Sequence, residues 1–66
     1  MFKQTLDKQD GDVRFREFET THGKIYINVC KDLNLVVINK EFKASGFKHH
    51  LELTIEEFNE LKKIEV

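Results

Sequence analysis

Three usual staples of a very small domain are missing from this chain. Cys30 is its single cysteine, which excludes an intramolecular disulfide; proline is absent; and no cysteine and histidine set has the spacing of a structural zinc site. No apolar run approaches the roughly 20 residues of a membrane-spanning helix, and Lys3, Gln4 and Asp7 interrupt any signal-like segment near the N-terminus. Positive charge is not in excess: 11 basic and 12 acidic side chains give a formal net charge of −1, which announces no polyanion partner by itself. The sequence also has no phosphate-binding glycine loop, dinucleotide fingerprint, metalloprotease helix or deaminase metal signature. A protein without enzymatic activity, cofactor or metal is the expectation.

The 66 residues, 39% hydrophobic and 35% charged, have the composition of one soluble folded domain. Chains of this size bury only about 60% of the surface their unfolded form exposes. With no staple available, a homodimer is the natural source of extra buried surface. The expected location is cytoplasmic or nucleoid-associated, or nuclear if the source is eukaryotic, with no membrane partner. Charge is unevenly spread: residues 1–21 sum to −1, residues 22–50 to +3 and residues 51–66 to −3. A basic middle and an acidic end orient the domain toward a polyanion or attract two subunits to one another.

Residues 1–12 read as a flexible arm or an extra edge strand around Phe2 to Leu6, ending in a turn at Asp10-Gly11-Asp12. Residues 13–66 read as a single β-β-β-β-α domain, an α+β fold with a four-stranded antiparallel sheet followed by one C-terminal helix. Val13 to Phe18 is the first strand, followed by a turn at Thr20-Thr21-His22-Gly23. Lys24 to Cys30 is the clearest strand, with Ile25, Ile27 and Val29 on one face. Leu35 to Ile38 is apolar on both faces, which fits a bulge, a central strand or a subunit contact. Phe47 to Leu53 is the fourth strand and places His49 on its apolar face, partly buried. Thr54 then starts a helix that runs to the C-terminus. Thr54 and Glu57 have capping-box spacing, Leu53 and Phe58 that of a hydrophobic staple, and Ile55, Phe58, Leu61 and Ile64 form the packing stripe.

Two constellations invite chemistry and carry little. Cys30, His22 and Asp32 make a formal nucleophile, base and orienting group, but nothing in their spacing requires contact. His49 and His50 are adjacent in a strand, so their side chains point to opposite faces and are poorly placed to bind one ion. A third is more promising. Strand periodicity puts Val13, Phe15, Ile25, Ile27, Val29, Leu51 and Leu53 on one side, and Arg14, Arg16, Phe18, Lys24, Tyr26, Asn28, Lys48 and His50 on the other. Arginine and lysine neutralise phosphates, and Phe18 and Tyr26 offer planar surfaces to unpaired bases. The alternative is an ordinary solvated or protein-binding face.

The segment order, with Val13-Arg14-Phe15-Arg16-Glu17-Phe18, Gly23-Lys24-Ile25-Tyr26-Ile27-Asn28-Val29, and Leu51-Glu52-Leu53-Thr54 leading into Glu56-Glu57-Phe58-Asn59-Glu60-Leu61-Lys62-Lys63, resembles the positive cofactor four (p15) family of transcriptional coactivators. The resemblance spans most of the chain after Asp12. It implies a dimer that binds single-stranded DNA and acts in transcription or genome maintenance. Phe18 resembles the aromatic ending the family's first strand, Lys24 the basic residue opening the second, and Gly46 and Lys48 parts of the segment before the last strand. His49-His50 stands where the family often has glycine, and Leu33 or its neighbours replace an expected aromatic. The expectation is therefore a homodimer that binds single-stranded DNA or RNA through Arg14, Arg16, Phe18, Lys24, Tyr26 and Lys48, with a transcription or replication protein as a further partner. The alternative is a small protein-interaction or inhibitory domain that engages a macromolecule without nucleic acid.

Overall fold

The computed structural model describes residues 2–65. Five antiparallel strands, β1 (Phe2–Asp10), β2 (Val13–Thr20), β3 (Gly23–Cys30), β4 (Leu35–Phe42) and β5 (Lys48–Thr54), lie in chain order in one sheet and lead into a short helix, α1 (Ile55–Leu61). The expected count of four strands is corrected to five, because the segment read as a flexible arm or an extra edge strand around Phe2 to Leu6 is a full edge strand, Phe2–Asp10, beside β2. Its charges suggest disorder when taken alone, but β2 supplies partners for them: Asp7 meets Arg14, Gln4 meets Arg16 and Thr5 meets Glu17.

Short connections set the register. Gly11, at φ 60°, turns β1 into β2, and Asn34, at φ 51°, closes the β3–β4 loop with its N–H donating to the Lys31 carbonyl at 3.1 Å. The β2–β3 turn has only Thr21 and His22 between the paired residues Thr20 and Gly23. Gly23 is buried at φ 151°, with the Glu41 carbonyl of β4 where a side chain would begin. The β4–β5 connection holds Gly46 at φ 67° and returns its N–H to the Phe42 carbonyl at 2.8 Å.

This pairing defines two faces. Across β2 to β5, one face carries Arg14, Arg16, Phe18 and Thr20; Ile25, Ile27 and Val29; Val36, Ile38, Lys40 and Phe42; and His49, Leu51 and Leu53. The other carries Val13, Phe15, Glu17 and Glu19; Lys24, Tyr26, Asn28 and Cys30; Leu35, Val37, Asn39 and Glu41; and Lys48, His50, Glu52 and Thr54. The first is the apolar face. Its centre at Val36 is fully buried, and Leu53, opposite Val36, shares a hollow with Leu61 and Ile64, so α1 lies over this corner.

The helix start is as the spacing requires. Thr54 Oγ1 accepts from the Glu57 N–H at 3.1 Å, and Glu57 Oε1 accepts from the Thr54 N–H at 2.8 Å. The helix stops at Leu61 instead of continuing: the Lys63 and Ile64 N–H groups bond three residues back, to Glu60 and Leu61, in a tightened last turn. Ile64 is 63% exposed and does not extend the packing stripe; Val66, also expected in the helix, lies outside the described residues. His49, expected to be partly buried, is exposed and stands edge-on to Phe42 and Phe47. It lies near the start of an edge strand whose other end carries the helix, so the helix does not cover it.

The product is thin and broad. Its extents are 35 × 29 × 19 Å and its radius of gyration is 12.5 Å, against about 11 Å for a compact chain of this length. Its accessible surface is 5244 Å², whereas a folded monomer of this mass exposes about 4,400 Å².

Gly23→Ala is expected to cost at least about 2 kcal/mol, because the added carbon meets β4 backbone that cannot swing aside. Gly46→Ala, with open space around it, carries only the left-handed backbone cost of about 1 kcal/mol. Urea unfolding of the two variants measures the difference.

Candidate nucleic-acid interface

The six residues expected to form one site lie on opposite sides of the sheet. Arg14, Arg16 and Phe18 share the apolar face with Ile25, Ile27 and Val29, on the same side as the helix; Lys24, Tyr26 and Lys48 occupy the other. Periodicity within a strand is preserved, but the phase of β2 relative to β3 is the reverse of the expected one. Phe15 and Phe18, three apart, face opposite ways, so β2 has no uniquely apolar side to announce its phase.

On the apolar side, β1 already occupies the arginines. Asp7 accepts two hydrogen bonds from Arg14, at 2.9 Å from Nε and 2.6 Å from Nη2. Gln4 Oε1 accepts from Nε and Nη2 of Arg16 at 3.2 and 3.0 Å. Phe18 is buried, with the Phe2 ring stacked on it at 5.0 Å and the Arg16 guanidinium 5.1 Å from its centre. In this arrangement Phe18 has no free face for a base.

On the polar side, Tyr26 and Lys48 come together around a shallow hollow of about 360 Å³ that Asn39 and Glu41 also line. Lys24 lies two residues before Tyr26 on the same face of β3. Its Nζ is 3.9 Å from Glu17, and that of Lys48 is 4.0 Å from Glu41. Both lysines are exposed, their carboxylate partners are only partly buried, and the distances are too long for strong hydrogen bonds, a class worth about 0–1 kcal/mol. Phe15, expected on the core side, belongs here: it faces Asn28 on β3, which makes it the diagonal neighbour of Tyr26, at roughly 7–8 Å. His50 lies between Asn39 Oδ1, at 2.7 Å from Nδ1, and Glu52 Oε2, at 3.1 Å from Nε2. The Phe15–Tyr26 diagonal was within reach of the sequence: a two-residue turn makes facing residue numbers sum to a constant, which sets Phe18 opposite Ile25 and Phe15 opposite Asn28.

His22 just precedes β3 and Cys30 ends it, roughly 26 Å apart at the strand rise, so they and Asp32 do not assemble. Among the described residues no three His, Cys, Asp or Glu side chains come together to hold a metal ion.

The Arg14 hydrogen bonds hold the Asp7 carboxyl below its ordinary range, helped by the positive charges of Arg14 and Arg16 and opposed by desolvation; the same contact raises Arg14. A lowered carboxylate stabilises the fold above its unfolded value of about 3.9, and that contribution disappears as pH falls through the lower native value. Protection factors of β1 amides are therefore expected to fall in acid below about pH 4, and Asp7→Asn to flatten that dependence. Amide exchange followed by NMR across that range measures both.

Comparison with protein-family models, with curated proteins and with solved structures gives no match, so the functional reading rests on the residues and their geometry.

Proposed function

We propose that this chain is a non-enzymatic single-stranded nucleic-acid-binding domain that works as a homodimer, closing the apolar surface of β3 to β5 against a second copy, leaving the β1–β2 edge outside the contact, and turning the polar side to the ligand. The chemical division between the two sides carries this reading. Ile25, Ile27, Val29 and Ile38 on the apolar side are only partly covered, and Leu51 is 48% exposed. The surface in excess of a compact monomer is about 800 Å², which matches what each partner buries in a standard stable interface.

Closure on that side leaves Phe15, Tyr26, Lys24 and Lys48 facing solvent. The two rings are spaced for successive unstacked bases, and a flat sheet supports a splayed strand where it cannot enter a duplex groove. Lys24 and Lys48 contact phosphates, which replace the distant carboxylates of Glu17 and Glu41. Tyr26 stacks on a base and Phe15 joins it. The resemblance of the segment order to the p15 family supports the same reading, with transcription or genome maintenance as the setting it implies.

A second reading has its own observation. Phe47, Leu51, Leu61 and Ile64 around β5 and the helix are between 47% and 63% exposed, an apolar border that suits a protein partner in place of a second copy. Titration of a labelled oligothymidine at several salt concentrations distinguishes the two. Under the first reading binding weakens with salt, Tyr26→Ala weakens it roughly tenfold, and Lys24→Ala lowers the salt slope by about 0.7. No binding at low salt overturns the nucleic-acid reading and favours the protein partner. Sedimentation equilibrium tests the dimer separately, with a concentration-independent monomer counting against it.

A further inference from the structure

We propose that Arg14, Arg16 and Phe18 form a second, latent site for a single-stranded nucleic acid, which β1 keeps closed by filling it with groups that imitate the ligand. This deepens the preceding reading and rests on it for the class of ligand.

Three contacts coincide on one face of β2. The Asp7 carboxylate sits on Arg14 in the two-bond geometry that a phosphate takes. The Gln4 amide oxygen receives both donors that Arg16 turns toward β1. The Phe2 ring lies on Phe18 with an interplanar angle of 25°, a near-parallel stack like that of a base on an aromatic side chain. Anion, acceptor and stacked ring succeed one another along β1 as phosphates and bases do along a strand.

β1 is also an edge strand that can leave without disturbing the helix. Every residue of it is exposed, its only strand neighbour is β2, and Phe2, which anchors its start, is itself 65% exposed. The ladder is interrupted between Gln4 and Leu6, where the register slips. The fully buried centre at Val36 lies on β4, and the helix rests on β4 and β5, so opening β1 removes nothing from beneath them. Exposed, single-sided and bulged segments open at the low end of a protein's free-energy range. A ligand that binds β2 in place of β1 is thereby admitted only when it outcompetes the strap, and each opening presents two guanidiniums and a ring on the side of the sheet opposite Tyr26 and Lys48.

The test uses the full chain and a labelled oligothymidine. Asp7→Asn combined with Phe2→Ala is expected to tighten binding roughly three- to tenfold and to steepen the salt slope by about 1.4, for two released arginines. Adding Arg14→Ala reverses the gain. Asp12→Asn, which makes the same charge change in the β1–β2 turn, gives a smaller one. Amide exchange of the wild-type chain is expected to show β1 losing protection when the oligonucleotide is added. Equal gains from Asp7→Asn and Asp12→Asn, or β1 protection that is unchanged or increased by ligand, overturn the latent site. If wild-type binding is then still sensitive to Tyr26→Ala, the polar-face reading survives alone. A gain in the strap variant with no effect of Tyr26→Ala overturns the polar face and supports the latent site, and no binding by any variant overturns both.

Discussion

Gly23 is where the two central hairpins meet. The Glu41 carbonyl fills the space a side chain would need, the Lys43 N–H donates to the His22 carbonyl at 2.8 Å, and Thr20 Oγ1 donates to the Gly23 carbonyl at 3.0 Å. With no side chain at Gly23, Lys40 reaches across the backbone to Thr20 Oγ1 at 3.0 Å. This junction locks β2 to β3 and β3 to β4 at one end of the sheet. Side chains alternate strictly along a strand, so fixing one pair fixes the face of every residue in the three strands. The apolar side, the polar side and the separation of Arg14 from Lys24 all follow from it.

The core that results is shallow. Among the described residues, one layer of sheet and a helix of seven residues enclose a single fully buried large side chain, Val36. A helix so short has no stability of its own; its cap fixes where it starts, and packing at Val36 and Leu53 holds it there. Among the described residues, Ile25, Ile27, Val29, Ile38 and Leu51 on the rest of the apolar side are only partly covered. The missing staples noted in the sequence and the surplus surface of the fold are two expressions of one deficit, which the proposed association with a second copy would relieve.

Local signals were legible where chemistry is local. The capping box at Thr54 and Glu57, the alternation of β3 and the turns at Gly11 and Gly23 belong to short stretches whose residues decide the outcome among themselves. The helix end was not legible, because whether Ile64 packs depends on the reach of the sheet beneath it. β1 was misjudged in extent for a similar reason: Asp7 and Gln4 become strand residues only because β2 supplies Arg14 and Arg16. The candidate site suffered most. Its residue types were readable, but grouping them needs the pairing of β2 with β3, and an arginine-rich strand with phenylalanines on both faces does not declare which side is inward. The length of the Thr21-His22 turn held that information.

The bulge in β1 has a consequence of another kind. A five-stranded sheet with little covering it presents two long edges, and a regular, apolar edge is a template on which further copies stack into fibrils. Between Gln4 and Leu6 the outer edge loses its regular spacing, and Lys3 and Lys8 flank the break. A strand arriving from another molecule cannot pair along the full length of such an edge without leaving hydrogen-bonding groups unmatched and bringing like charges together. The irregularity in β1 thus makes the outer edge a poor template for such stacking.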